Sequence, residues 1–290
     1  MKIIGTGLSG LVGSRIQELL VNQYHFVDCS LDTGIDITRP DHLQRVFVQN
    51  PDATAVLHLA AFTDVNQAWE QRGDKNGLCY QVNVIGTKNI ANLCAQAGCY
   101  LLHISTDFVF DGEKSGGYQE TDAPAPIEWY GETKYLAEQE VVQSGAKHAI
   151  ARIAFPFRSC FSQKIDLVRK IIEDFKNNSL APLFTDQTIT PTFIDDIAAA
   201  IHTLIKRKAI GIYHVVGSTS LSPYELALRI NKVFKLNNRQ IRKASLAEYV
   251  RKTGRPRQKN LTLINRRITA LGVKMRTIDA ALQELKLQLQ

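Results

Sequence analysis

Short apolar runs alternate with longer stretches of helical period through the first half of the chain. The runs at 2–5, 25–29, 55–59, 100–105 and 149–153 are brief, bounded by turn residues and rich in branched or aromatic side chains, which predicts strands. Between them, apolar positions recur every three or four residues over 11–22, 40–49, 80–98 and 130–144, which predicts helices. Thr38 reads as the N-cap of the second of these, with Pro40 in its first turn. Strands alternating with helices in this way predict an α/β fold, a doubly wound parallel sheet of Rossmann type with helices on both faces. Beyond 153 the alternation weakens. Helical patterns at 164–177, 195–207, 223–234 and 277–287 are separated by irregular segments, which predicts a smaller, mostly α C-terminal lobe. The expected division is a first domain over 1–153, with 186–207 packing back on it, and a second lobe formed by 154–185 and 208–290.

Composition narrows the class. A chain of 290 residues, 44% hydrophobic and 22% charged, can bury a large core. Its longest apolar stretches, at 55–62 and 197–205, fall far short of the roughly 20 residues a membrane helix needs. The N-terminus has no basic region followed by an apolar segment and cleavage site, so a cytoplasmic protein is expected. Five cysteines, with no Cys-x-x-Cys pair, read as buried thiols of a reducing compartment. The histidines show no metal-ligand spacing, and no metal site is expected. The net charge of +7 conceals an asymmetry: residues 201–290 carry 19 Lys+Arg against 4 Asp+Glu, a balance of +15, which leaves −8 for residues 1–200. Such charge can be plain solvated surface or can attract a diphosphate-bearing substrate. Nucleic acid is disfavoured as a partner, because the basic residues of 232–259 lie on no nucleic-acid module and lack interleaved aromatics.

The candidate chemistry begins in Gly5-Thr6-Gly7-Leu8-Ser9-Gly10-Leu11-Val12-Gly13, directly after the first strand and opening the first helix. Glycines at such a turn let backbone amides approach a pyrophosphate, and the helix N-terminus favours its charge. Asp28 ends the second strand, where a carboxylate can accept from ribose hydroxyls and would favour NADH over NADPH, or can simply be a strand-end carboxylate. Tyr130 and Lys134 lie one turn apart on a predicted helix, so phenol and ammonium share a face. Lowering a tyrosine pKa from 10 to 7 takes about 4 kcal/mol of phenolate stabilisation, which a nearby ammonium can supply. In Ile104-Ser105-Thr106-Asp107-Phe108-Val109-Phe110-Asp111-Gly112 a strand runs into hydroxyls at its carboxyl end, the edge at which doubly wound sheets collect ligands.

These residues together resemble the extended short-chain dehydrogenases and, more narrowly, the dTDP-4-dehydrorhamnose reductase family. The likeness is carried by the glycine loop, Leu59-Ala60-Ala61-Phe62-Thr63, Asn83, the Ser105 to Gly112 stretch and Tyr130-Gly131-Glu132-Thr133-Lys134. It continues at Asp186-Gln187, Pro191-Thr192, 211–214, Arg255-Pro256 and Asn260-Leu261, and so spans nearly the whole chain. The resemblance implies a dinucleotide-binding first domain, a substrate-binding second lobe, and hydride transfer from NADPH or NADH to the 4-keto group of a nucleotide-linked 6-deoxy sugar. It implies Thr106, Tyr130 and Lys134 as the catalytic set: Tyr130 as general acid, Lys134 on the nicotinamide ribose, Thr106 orienting the carbonyl. The cofactor residues it implies are Gly7, Ser9, Gly10, Leu11, Val12, Gly13, Asp28, Asp36, Ile37, Leu59, Ala60, Ala61, Thr63, Asn83 and Ser105, with Tyr130 and Lys134. The substrate residues are Thr106, Asp107, Phe108, Tyr130, Phe155 and Arg257.

The chain departs from the family pattern where substrate specificity would reside. Phe62 and Phe108 stand where a polar aromatic or histidine is common, Asn66-Gln67-Ala68-Trp69 replaces an acidic run, and Arg152-Ile153-Ala154-Phe155-Pro156 replaces an Arg-Thr-Ser-Trp pattern. Another nucleotide-sugar reductase, an epimerase, or a non-catalytic regulatory subunit resembling the beta subunit of methionine adenosyltransferase are the alternatives. The expected partner is a nucleotide sugar, with no membrane, and a homodimer is compatible with the resemblance.

Overall fold

The computed structural model describes residues 1–236 and 241–290; Arg239, one of the basic residues of the C-terminal third, lies outside them. Six strands form the central sheet: β1 (Lys2–Thr6), β2 (His25–Cys29), β3 (Ala55–His58), β4 (Tyr100–Thr106), β5 (His148–Ile153) and β6 (Gly211–His214). Their order is β2-β1-β3-β4-β5-β6 and every neighbouring pair is parallel. The chain steps from β1 outward to β2 and then crosses back to β3 on the other side of β1. This reversal leaves a crevice above the carboxyl ends of β1 and β3.

Five of the strands are those the apolar runs predict. Residues 211–214, assigned by pattern to the second lobe, are instead the sixth strand, in register from Ala149↔Gly211 to Arg152↔His214. Four residues at a sheet edge are too few to display a period. The helix expected over 80–98 is also divided, into a single turn at Leu78–Tyr80, a π-helical segment Gln81–Gly86 and a regular helix Thr87–Ala97 that Gly98 ends in the left-handed conformation. A π turn changes the register by one residue without disturbing the apolar count, so a period of 3.6 does not reveal it.

Two helical layers sandwich the sheet. On one face, α1 (Leu11–Leu20) and the later helix Ile194–Arg207 bury Ile16, Leu20, Ile197, Ile201 and Leu204 against Ile3, Leu57 and Leu102. On the other, α2 (Pro40–Gln49), α3 (Thr87–Ala97) and α4 (Trp129–Gln143) bury Leu43, Val46, Ile90, Cys94 and Val141 against Ile4, Val56, Leu101 and Ile150. Adjacent strand residues such as Ile3 and Ile4 therefore serve opposite cores, which is why the strands read as continuous apolar runs. The N-cap of α2 is Arg39, not Thr38. The Thr38 amide and hydroxyl both donate to Asp36 Oδ1 at 2.8 Å, an Asx-type turn that competes with capping.

The second lobe has its own core, in which α5 (Leu167–Lys176), α6 (Pro223–Phe234) and the C-terminal helix Ile278–Gln288 enclose Ile172, Leu226, Ile230, Leu282 and Leu285. Four cysteines are buried as expected, but Cys160 is exposed, and none is in a disulfide. Its segment, between Arg158 and Lys164, has too few apolar residues to bury. Among the described residues no helix is long and apolar enough to cross a membrane.

One polar cluster lies inside the first core. Arg152 on β5 donates from Nε and Nη2 to Glu138 on α4 at 2.9 and 2.6 Å, the two side chains being 1% and 4% exposed, and Ser105 on β4 donates to the same carboxylate at 2.5 Å. The guanidinium also lies 5.0 Å from the Phe110 ring centre. Removing one partner strands a buried charge, which costs about 3–5 kcal/mol, whereas replacing both with apolar groups is far less costly. Arg152→Met should therefore lower unfolding free energy in urea by about 3–5 kcal/mol, and Glu138→Leu combined with it should recover most of the loss. Equal losses in the single and double variants would show that the pair does not act as a unit.

Candidate active site

A cleft of about 800 Å³ opens over the carboxyl ends of β1, β3, β4 and β5. Gly7, Ser9, Gly10, Leu11, Val12 and Gly13 form its floor at the start of α1; Asp36 and Ile37 line it after β2, and Leu59, Ala60, Ala61 and Thr63 after β3. Ser105, Thr106, Asp107 and Phe108 come from the end of β4, Tyr130 and Lys134 from α4, and Phe155 from the turn after β5.

The loop at α1 suits an anion. Its N-cap, Gly10, uses no side chain to satisfy the first-turn amides, and that turn has no acidic residue. Helix N-termini left open in this way bind phosphate groups through backbone N–H and dipole. Gly13 is required by packing, since a Cβ there would lie 2.3 Å from the Gly7 carbonyl oxygen. These features fit a dinucleotide diphosphate.

The catalytic candidates are held by α4. Glu128 caps the helix by accepting from the Gly131 amide at 3.0 Å. A Cβ on Gly131 would stand 2.1 Å from the Phe108 carbonyl oxygen, so the helix can approach the end of β4 only with glycine there. The stripe of α4 that faces the sheet contains Lys134, Ala137, Glu138 and Val141. Lys134, 3% exposed, donates to the Ile104 carbonyl at 2.8 Å and lies 3.5 Å from His103 Nε2. Burial pushes its ammonium down to about 8, with Glu138 one turn away pulling the other way. His103 is kept neutral by the same burial. Tyr130 is half-buried against Phe108, ring centres 5.6 Å apart, and burial raises its phenol above the usual tyrosine range despite a hydrogen bond from Thr106. The phenol of the free protein is therefore protonated at neutral pH.

Ser105 and Thr106 divide their work. Ser105 borders the cleft, but its hydroxyl is engaged by Glu138, whereas Thr106 accepts from the Phe108 amide at 3.3 Å and contacts Asp107 Oδ1 at 2.9 Å. Phe155 holds φ at +41°, a strained value for a bulky side chain, and its ring lies 6.4 Å from Phe108. Together these rings give that wall an apolar surface.

Three expected residues stand off the cleft wall. The Asp28 Oδ1 is buried with no hydrogen-bond partner among the described residues, while the next residues, Cys29 and Ser30, reach the cleft. Asn83, fully buried in the π-helical segment, accepts from the Phe62 amide at 2.8 Å and donates to Thr133 at 3.0 Å, clamping the β3 loop to α4 from behind. Arg257 is likewise absent from the wall. Its neighbour Arg255 bonds Asn66 at 2.6 Å and the Val65 carbonyl at 2.7 Å, so that conspicuous arginine braces the short helix Val65–Glu70. Sequence reasoning missed Ser30, Leu31 and Asp32, which the strand-end rule could have reached. It also missed Phe161, Gln163 and Lys164, whose segment arrives from the second lobe without a local signal; Lys164 donates across the cleft to Thr63 at 2.8 Å.

A family model described as the RmlD substrate binding domain matches residues 1–290. The chain is 29% identical to a probable low-salt glycan biosynthesis reductase, Agl14, of Haloferax volcanii, over 90% of this chain and 89% of that protein. It is 28% identical to methionine adenosyltransferase 2 subunit beta of Pongo abelii, over 95% and 84%. Its fold superposes on dTDP-4-dehydrorhamnose reductase of Bacillus anthracis in complex with NADP with a TM-score of 0.89 at 28% identity, covering 99% of each chain.

Lys134 also couples the site to stability. Its folded pKa lies near 8 against an ordinary value of 10.5, so between those limits the unfolded chain binds a proton that the folded chain does not. The slope of stability with pH is then positive, and the deficit due to this group shrinks by about 3 kcal/mol as pH rises from 8 to 10.5. Urea denaturation of wild type and Lys134→Met across that range should give a difference that changes by about this amount in favour of wild type. A constant difference would refute the depressed ionisation.

Proposed function

Because the chain belongs to the RmlD substrate binding domain family, we propose that it is a nicotinamide-dependent reductase of the 4-keto group of a nucleotide-linked 6-deoxy sugar, acting as a dTDP-4-dehydrorhamnose reductase. The observation that carries the reading is the convergence of Thr106, Tyr130 and Lys134 on one wall of a cleft whose floor is an uncapped glycine loop. Bound NADPH or NADH supplies the hydride; the protein supplies orientation and a proton.

In this reading the glycine loop holds the diphosphate of the cofactor, and Lys134 holds its nicotinamide ribose. Thr106 orients the ketone oxygen. Tyr130, protonated in the free protein, gives its proton to that oxygen as hydride reaches the carbon, so ketone, reduced nicotinamide and one proton become alcohol and oxidised nicotinamide. The nearby ammonium stabilises the phenolate left behind. Phe108 and Phe155 offer their apolar wall to the methyl group of a 6-deoxy sugar. The enzyme is cytoplasmic in this reading, where nucleotide sugars and reduced nicotinamide meet, and works as a homodimer, which sedimentation equilibrium tests.

Absorbance of NADH and NADPH in turn, after addition of enzymatically generated dTDP-4-keto-L-rhamnose, tests the activity. Wild type should oxidise at least one cofactor, and Tyr130→Phe should lower kcat at least a hundredfold. Cofactor binding without oxidation would refute the rhamnose assignment and favour another keto sugar or a regulatory subunit.

A further inference from the structure

The Thr106 hydroxyl has one proton and two lone pairs. One lone pair accepts from the Phe108 amide at 3.3 Å, the oxygen is also 2.9 Å from Asp107 Oδ1, and the Tyr130 phenol lies within hydrogen-bonding reach of the same hydroxyl. A carboxylate at Asp107 has no proton, so the hydroxyl would have to donate into that contact and would have none left for a ligand carbonyl. A neutral carboxyl reverses the bond: Asp107 donates to Thr106, whose own proton is then free to point elsewhere. The surroundings favour the neutral form. Asp107 is 1% exposed, and its Oδ2 is enclosed with no hydrogen-bond partner among the described residues. A bare carboxylate oxygen in such a place is costly, and a bare carbonyl-type oxygen of a neutral acid much less so.

We infer that Asp107 is a positioning residue that acts through Thr106, turning the Thr106 proton toward the ligand carbonyl when its carboxyl is neutral and withdrawing that proton when it ionises. The inference rests on the reductase reading for its consequence but not for the state of the carboxyl. The groups facing Asp107 are consistent with a titration in the neutral range. Burial pushes its carboxyl up to about 7, against the opposing hydrogen bonds of Thr106 and the amides of residues 107 and 108. Glu128, at the cap of α4, pushes in the same direction as burial, and its own charge is offset by Arg255 and Arg257. From α4 come the Tyr130 phenol, protonated, and the Lys134 ammonium one turn further along, drawn to the Ile104 carbonyl.

No bond is made or broken at Asp107 in the reaction. Tyr130 still provides the proton that ends on the alcohol, and Thr106 only hydrogen-bonds the oxygen as charge develops on it. Losing one such donor costs on the order of a hundredfold in kcat.

The experiment pairs a titration with a rate profile. The Asp107 carboxyl carbon, in protein labelled with 13C-aspartate and assigned through its backbone connectivity, should titrate near pH 7 in wild type without substrate; a midpoint below 5 would overturn the inference. In kcat profiles between pH 6 and 9, wild type should fall about tenfold per unit above 7, toward a floor about a hundredfold below its plateau. Asp107→Asn, whose amide donates to Thr106 at every pH, should lack the limb centred near 7, keeping only the fall above about 8 that the Lys134 ammonium sets, and should exceed wild type at pH 8, while Asp107→Leu should be slow throughout. An alkaline limb that survives unchanged in Asp107→Asn would also overturn it. If wild type turns over no keto sugar at any pH, the reductase reading fails, and the carboxyl titration alone decides the state of Asp107.

Discussion

The buried contact between Glu138 and Arg152 joins the three elements on which the site depends. Glu138 is on the helix that carries Tyr130 and Lys134, Arg152 is on β5, and the Ser105 hydroxyl that shares the carboxylate is next to Thr106 at the end of β4. A bidentate pair tolerates little change of angle or distance, so it holds the helix in one register over the sheet. Glu138 lies one turn beyond Lys134 on the same stripe, and locking one places the other. The lysine ammonium then meets the Ile104 carbonyl, and the phenol one turn earlier reaches the cleft beside Thr106.

That arrangement brings charge into a region of low dielectric. A sheet-facing helical stripe is ordinarily apolar, yet α4 puts both a lysine and a glutamate there. Glu138 is neutralised directly by Arg152. The hydrogen-bond partners of Lys134 among the described residues are a carbonyl and a neutral histidine, and burial depresses its ionisation against the pull of Glu138. The same desolvation raises the Tyr130 phenol and the Asp107 carboxyl. One environment thus keeps the Tyr130 phenol protonated and brings both the Asp107 carboxyl and the Lys134 ammonium close to their midpoints, the condition proton transfer at neutral pH needs.

The cleft mouth is built differently. Aromatic residues 108, 155 and 161 supply apolar walls, and the segment that carries Lys164 leans across from the second lobe to Thr63. Arg255, prominent in the basic C-terminal third, is used to brace the short helix after β3, so part of that charge serves the contact between lobes.

The doubly wound sheet, the glycine loop and the Tyr130–Lys134 pair were legible in the sequence because each depends on local spacing: apolar runs of strand length, glycines at a strand-to-helix turn, and two side chains one helical turn apart. The π-helical register before α3, the edge strand at 211–214 and the cap of α2 were not, because a one-residue shift or a four-residue strand leaves no period to read. Among the site residues, Ser105 and Thr106 look equivalent in sequence, and only the buried carboxylate of Glu138, 33 positions away, separates them by occupying one hydroxyl. Asp28 was read from its place at the end of a strand, and Asn83 and Arg257 from resemblance; none of the three lines the cleft. Sequence spacing determined which chemistry the chain can assemble; contacts between residues far apart along the chain decided which atoms face the cleft, because burial, hydrogen-bond partners and local dielectric exist only once the elements have packed.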